Sequence, residues 1–162
     1  MMRELTSLWN SLQDPEYLHL LLEPLPLFGL GLGLVFLLMS VLLVQRHTRT
    51  LALVVIILSA GSVPWYLKMR VKAEPRIAAT MDRSFHPLIR AQTERRQGSA
   101  WLYISVAAVC AAALAFGRTS RASFLSWAAI VMAAVGFVHG LWLHRKESEV
   151  YHPHIVHHGL AR

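Results

Sequence analysis

Apolar positions along this chain gather into four long runs, residues 25–44, 51–67, 100–116 and 123–143, none of which contains Asp, Glu, Lys or Arg. A helix rising 1.5 Å per residue needs about 20 residues to cross the roughly 30 Å of hydrocarbon in a bilayer, and each run is near that length. Lipid offers the backbone no water, so every N–H and C=O must be paired within its own segment, which predicts helices and excludes an open sheet. The polar stretches 45–50 and 117–122 are too short to join anything but antiparallel neighbours. The pattern therefore predicts an all-α integral membrane protein, an antiparallel four-helix bundle forming one domain over 1–162. The connection at 68–99 is the only sizeable polar segment, and a His-rich tail follows at 144–162.

Even-numbered crossing puts both termini and the connection on one side. Twelve cations lie there (Arg3, Lys68, Arg70, Lys72, Arg76, Arg83, Arg90, Arg95, Arg96, Arg145, Lys146, Arg162), against Arg46, Arg49, Arg118 and Arg121 in the turns. The positive-inside rule then places termini and connection in the cytoplasm, as in a bacterial inner-membrane protein. Trp65, Tyr66, Trp101, Tyr103 and Trp142 fall at the same level and predict an interfacial aromatic belt. Within the connection, Ile77, Met81, Phe85 and Ile89 recur every four residues among Arg76, Asp82, Arg83 and Arg90. This predicts a short amphipathic helix, interrupted near Pro87, lying on the membrane surface or packed over the cytoplasmic mouth of the bundle.

Composition agrees with this reading. Of 162 residues, 55% are hydrophobic and 15% charged, against about 25% charged in a soluble domain. The net charge of +7 is concentrated beside the spans, which points to anionic lipid and away from nucleic acid. A single cysteine, Cys110, excludes an internal disulfide. The acidic amino terminus shows no basic region leading into an apolar stretch, so no cleaved signal peptide is expected. Gly29, Gly31 and Gly33, Ala108 and Ala112, and Gly136 and Gly140 are small residues suited to close helix packing, within the bundle or against another subunit.

Candidate chemistry rests on histidine. His139 is the one ionisable group within a run and is flanked by Gly136 and Gly140. It either hydrogen-bonds a backbone carbonyl or a serine on a neighbouring helix, or ligates a b-type haem with His19 or His86 on the same side. His144 is five residues along the same helix and cannot face His139 across a ring, and His47 is at the opposite membrane face. In the tail, His154 and His158 have the i, i+4 spacing of a metal pair, although Pro153 opposes a helix there. Ser59, Ser62, Ser105 and Ser126 have no accompanying base, so no hydrolytic centre is expected.

The stretch Leu18-His19-Leu20-Leu21-Leu22-Glu23-Pro24-Leu25-Pro26-Leu27 resembles the opening of a family of small four-helix membrane proteins of unknown function that begin His-Pro-Leu-x-Val-His-Phe-Pro. His19 and Pro26 match; Leu20 stands for the first proline and Pro24 for the second histidine. Gly61-Ser62-Val63-Pro64-Trp65 is similar to the family's Gly-x-x-Asp-Trp, with Pro64 in place of the acid, and Tyr151-His152 imitates a closing Tyr-x-His. The resemblance implies four spans and a link to respiratory redox chemistry, since some members are attached to Rieske domains. Of the paired histidines it carries over only His19. Two functions follow: a structural or anchoring subunit of a larger membrane complex, of the electron-transfer kind and without catalysis of its own, or a haem-binding redox protein. A small transporter is the third reading and lacks an internal charge or a broken helix in the spans.

Overall fold

The computed structural model describes residue 9, residues 11–117, residue 119 and residues 122–151, with side chains to residue 148. All regular structure among them is helical. The helices are α1 (Pro15–Leu22), α2 (Pro24–Leu42), α3 (Arg46–Gly61), α4 (Val63–Thr80), α5 (His86–Gly98), α6 (Ala100–Ala115) and α7 (Ala122–Tyr151), with a 3-10 turn at Arg83–Phe85 before α5.

These stack end to end into four rods, Pro15–Leu42, Arg46–Thr80, Arg83–Ala115 and Ala122–Ser148, each long and apolar enough to cross a membrane. Proline marks where α1, α2, α4 and α5 begin, with Pro15, Pro24, Pro64 and Pro87 in their first turns. A proline there sacrifices no hydrogen bond, because the first N–H groups of a helix have no intrahelical partner. Asp14 caps α1 by accepting from the Glu16 N–H at 2.9 Å.

The rods outrun the apolar runs. The second has 35 residues, about 52 Å at 1.5 Å per residue, against roughly 30 Å of hydrocarbon. The connection at 68–99 is thus mostly a continuation of two rods. The recurrence Ile77, Met81, Phe85, Ile89, expected on one short helix, is divided: Ile77 lies in α4, Met81 just past its end, Phe85 in the 3-10 turn and Ile89 in α5. The chain turns at Met81 and Asp82, where Met81 adopts an extended backbone. Pro87 opens a helix rather than interrupting one, and Pro75 is carried inside α4.

The four apolar helices pack in a ring, α2 against α3 and α7, and α6 against α3 and α7. Leu30, Leu37, Ile56, Val106 and Cys110 are sealed at its centre. Lipid is as apolar as leucine, so close packing rather than exclusion of water holds such a ring together. Gly33 shows the tolerance: a Cβ there would lie 2.5 Å from Ile56 Cγ1. Large apolar side chains face outward, Phe28, Leu58 and Phe124 among them. The aromatic belt divides. Trp65, Trp101 and Trp142 are exposed, whereas Tyr66 and Tyr103 are buried inside the bundle, where the Tyr66 hydroxyl accepts from Arg70.

Candidate functional site

The rods carry charge once they pass the apolar runs, and four of them direct it inward at one level. Glu23 lies at the junction of α1 and α2, one turn after His19. Tyr66 and Arg70 share a face of α4 at i, i+4 spacing; Thr93 and Arg96 share a face of α5; Glu147 comes from α7. Helical periodicity turns these sequence spacings into a single inward-facing cluster.

Arg70 Nη1 donates to Tyr66 Oη at 2.8 Å and lies 3.0 Å from Glu147 Oε1 and 3.8 Å from Glu23 Oε1. Its Nε reaches Thr93 Oγ1 at 3.4 Å. Arg96 Nε donates to Glu147 Oε1 at 2.7 Å, its Nη2 pairs with Glu147 Oε2, and the same nitrogen lies 3.4 Å from Glu23 Oε1. Two guanidinium groups thus face two carboxylates, and the side chains of Arg70 and Glu147 are only 6% and 8% exposed. The Tyr66 ring fills the middle, stacked on His19 at 5.2 Å between centroids and covered by the Arg96 guanidinium, also at 5.2 Å.

His19 Nε2 lies 3.4 Å from Arg70 Nη1. A guanidinium has only donors, so Nε2 accepts and the ring proton belongs on Nδ1. That Nδ1 is buried and has no hydrogen-bond partner. Beside the cluster a cavity of about 490 Å³ is bounded by His19, Glu23, Arg70 and Glu147, by Glu16 and Glu74, and by the apolar Leu20, Ile77 and Ile89.

His144 also lines this cavity, whereas His139 and His86 are placed apart from it. His139 Nε2 is 2.8 Å from Ser99 Oγ, and its ring lies between Tyr103 and Trp142, 6.2 and 5.5 Å away. This is the bond to a serine on a neighbouring helix that the sequence offers as the alternative to haem. Iron at His139 Nε2 would have to displace Ser99, and at His19 Nε2 it would meet a guanidinium. His86 opens α5, half-buried, with Nε2 unpartnered. His154 and His158 lie outside the described residues. Among the described residues no three His, Cys, Asp or Glu side chains are arranged to hold a metal ion.

The small residues are also placed. Gly29 lies against Ser59, Gly31 against Phe137, Gly136 against Val106, and Gly140 against Leu27 and Tyr103. Ala112 is half-buried and Ala108 is exposed, while Ala113 sits in the core. At the far end of the bundle Arg49 donates to the Gly117 carbonyl at 3.1 Å and reaches Ser126 Oγ at 3.5 Å, tying α3 to the end of α6 and to α7.

Sequence reasoning passed over Arg70, Arg96 and Glu147 as parts of a site, counting the arginines only as markers of orientation. The available signal was spacing: His19 with Glu23, just ahead of the first apolar run, and Tyr66 with Arg70, across the end of the second, each four apart. The chain matches no known family model, no curated protein and no solved structure.

Proposed function

We propose that this protein is a small integral membrane subunit, without catalysis of its own, whose antiparallel bundle of four spans anchors and positions a larger membrane complex. The observation that carries this reading is the ion-paired cluster beyond the apolar runs, to which all four rods contribute. An anchor needs a rigid head that stands clear of the lipid, and a buried network with several mutual partners provides one. Breaking any member leaves a charge unpaired.

In this reading both termini and the 63–98 hairpin face the cytoplasm of a bacterial inner membrane, and the basic side chains Lys68, Lys72, Arg76, Arg83 and Arg90 contact anionic lipid and partner subunits. The amphipathic face expected in the connection belongs to that helical hairpin. The partner complex is assigned to electron transfer by the resemblance of the His19 region alone.

Cross-linking in native membranes followed by mild detergent extraction tests the proposal. The tagged chain should migrate as a defined complex larger than itself, with reporter fusions at both ends reading cytoplasmic. Migration as a lone chain after cross-linking would overturn it. So would a Soret band that disappears in His139→Ala, which would make the protein a haem carrier.

A further inference from the structure

A second cavity, of about 280 Å³, is lined by α2 and α7 and by Arg96 and Tyr103 of the third rod. It lies at the level where the apolar runs end. Leu27 stands near the start of the first run, Tyr103 one turn inside the third, and Gly140 and Leu143 at the end of the fourth. Toward the spans its wall is apolar, formed by Leu27, Phe28 and Leu143, and Phe28 is 71% exposed on the face that the bundle turns to lipid.

Two hydrogen-bond donors border this space without a protein partner. Tyr103 is 4% exposed, and its hydroxyl makes no hydrogen bond among the described residues. The hydroxyl oxygen faces the gap at Gly140, where a Cβ would lie 3.4 Å from it and 3.4 Å from Leu27 Cδ1. Glycine therefore leaves the hydroxyl uncovered. Arg96 spends Nε and Nη2 on Glu147 and Glu23, and its Nη1 is left over. Both atoms keep accessible surface; the unpartnered atoms that are sealed belong to His19, His86 and Gln92. A donor left unmatched beside hydrocarbon is costly, and an acceptor brought by a ligand relieves that cost. Glu23 shares the lining and sits against Arg96, so no unbalanced positive charge is left to draw a free anion, and His144 is exposed at the polar rim. An uncharged acceptor carried on an apolar chain matches all of these features.

We propose that this cavity holds the ester linkage of a glycerolipid. One carbonyl accepts from the Tyr103 hydroxyl and the other from Arg96, while the acyl chains run past Leu27 and Phe28 into the bilayer. Depth agrees with chemistry, because the ester carbonyls of a bilayer lie where its hydrocarbon gives way to the headgroup region. The space suits the linkage rather than a whole lipid, which leaves the chains among their neighbours.

Native mass spectrometry of the protein released from dodecyl maltoside micelles tests this, with dioctanoylglycerol and its diether analogue, dioctylglycerol, supplied together. The two probes share chain length and free hydroxyl, and only the diester carries carbonyl acceptors. One diester should be retained per chain, preferred about tenfold over the diether. Tyr103→Phe removes a hydroxyl that holds nothing in the protein, so the midpoint of unfolding should stay unchanged while the preference falls about fivefold. Gly140→Ala, whose methyl meets its neighbours at ordinary contact distance, should cover the hydroxyl and reduce retention while the bundle stays folded. Absence of a lipid adduct, equal retention of the two probes, or a preference unchanged in both variants would overturn the proposal. Displacement of the diester by an equal concentration of an alkyl benzoquinone would also sink it, since the cavity would then be a quinone site.

Discussion

Val44 is the one described non-glycine residue with a positive φ, 55°. It occupies the left-handed position that ends α2: the Gln45 N–H bonds the Ser40 carbonyl at 2.9 Å and the Val44 N–H reaches the Val41 carbonyl at 3.4 Å. This pairing satisfies carbonyls left open at the helix end, and glycine is its usual occupant. For a β-branched side chain the conformation costs about 1–2 kcal/mol. Val44 is 84% exposed, so its removal leaves no hole. Val44→Gly is expected to stabilise the protein by roughly 1 kcal/mol, net of the added freedom of the unfolded chain, read as a raised midpoint of unfolding in detergent. No sequence signal marks this site, because valine at residue 44 reads simply as the end of an apolar run. His139 was more legible. An imidazole in lipid must find a partner, and Ser99 is a residue of the kind expected, although nothing in the spacing selects it over other serines.

At the scale of elements, the four apolar runs were readable because uncharged stretches of about 20 residues have one economical use in a membrane protein. Where the helices end was not readable. Propensity and charge say little about whether a polar segment such as 68–80 continues a helix, since packing against α1 and α5 decides it. The reversal at Met81 and Asp82 illustrates the difficulty: Pro75 and Pro87 both look like breakers, yet the helix stops between them. What holds the new start is Asp82, whose Oδ1 accepts from the Ser84 N–H at 2.9 Å and the Ser84 hydroxyl at 2.8 Å. The backbone bond first, and then the hydroxyl, hold the Asp82 carboxyl below its ordinary value. Because the folded value is the lower one, the contribution is present above the ordinary aspartate range and is lost as pH falls through the depressed value. Asp82→Ala should remove it at neutral pH. The protection of the Ser84 and Phe85 amides, measured against intrinsic exchange at the same pH, should fall in the variant, and in the wild type only once the solution is acid.

For the molecule as a whole, the ion cluster is what joins the rods beyond the apolar runs, and although local spacings hinted at pairs, its convergence could not be read from the chain because its members are spread from residue 23 to residue 147. Each looks like an ordinary flanking charge; only the packing of four rods shows that they converge. Glu147→Gln leaves two guanidinium groups sharing Glu23, and a buried network deprived of one partner loses about 3–5 kcal/mol. The variant should unfold at a markedly lower temperature in detergent. Glu94→Gln, which disturbs only the exposed pair with Arg90, should leave unfolding nearly unchanged. Equal melting of the two variants would mean that the cluster does not tie the rods.

The length of the second rod, 35 residues, has a mechanical corollary. About 20 Å of it projects past the hydrocarbon, and spanning helices lean by some 20° to suit bilayer thickness. A stiff projection of that size, leaning that far, sweeps its tip sideways by about 7 Å. Thinning or thickening the bilayer would therefore carry that tip sideways, making the rod a lever whose longer arm is sunk in lipid.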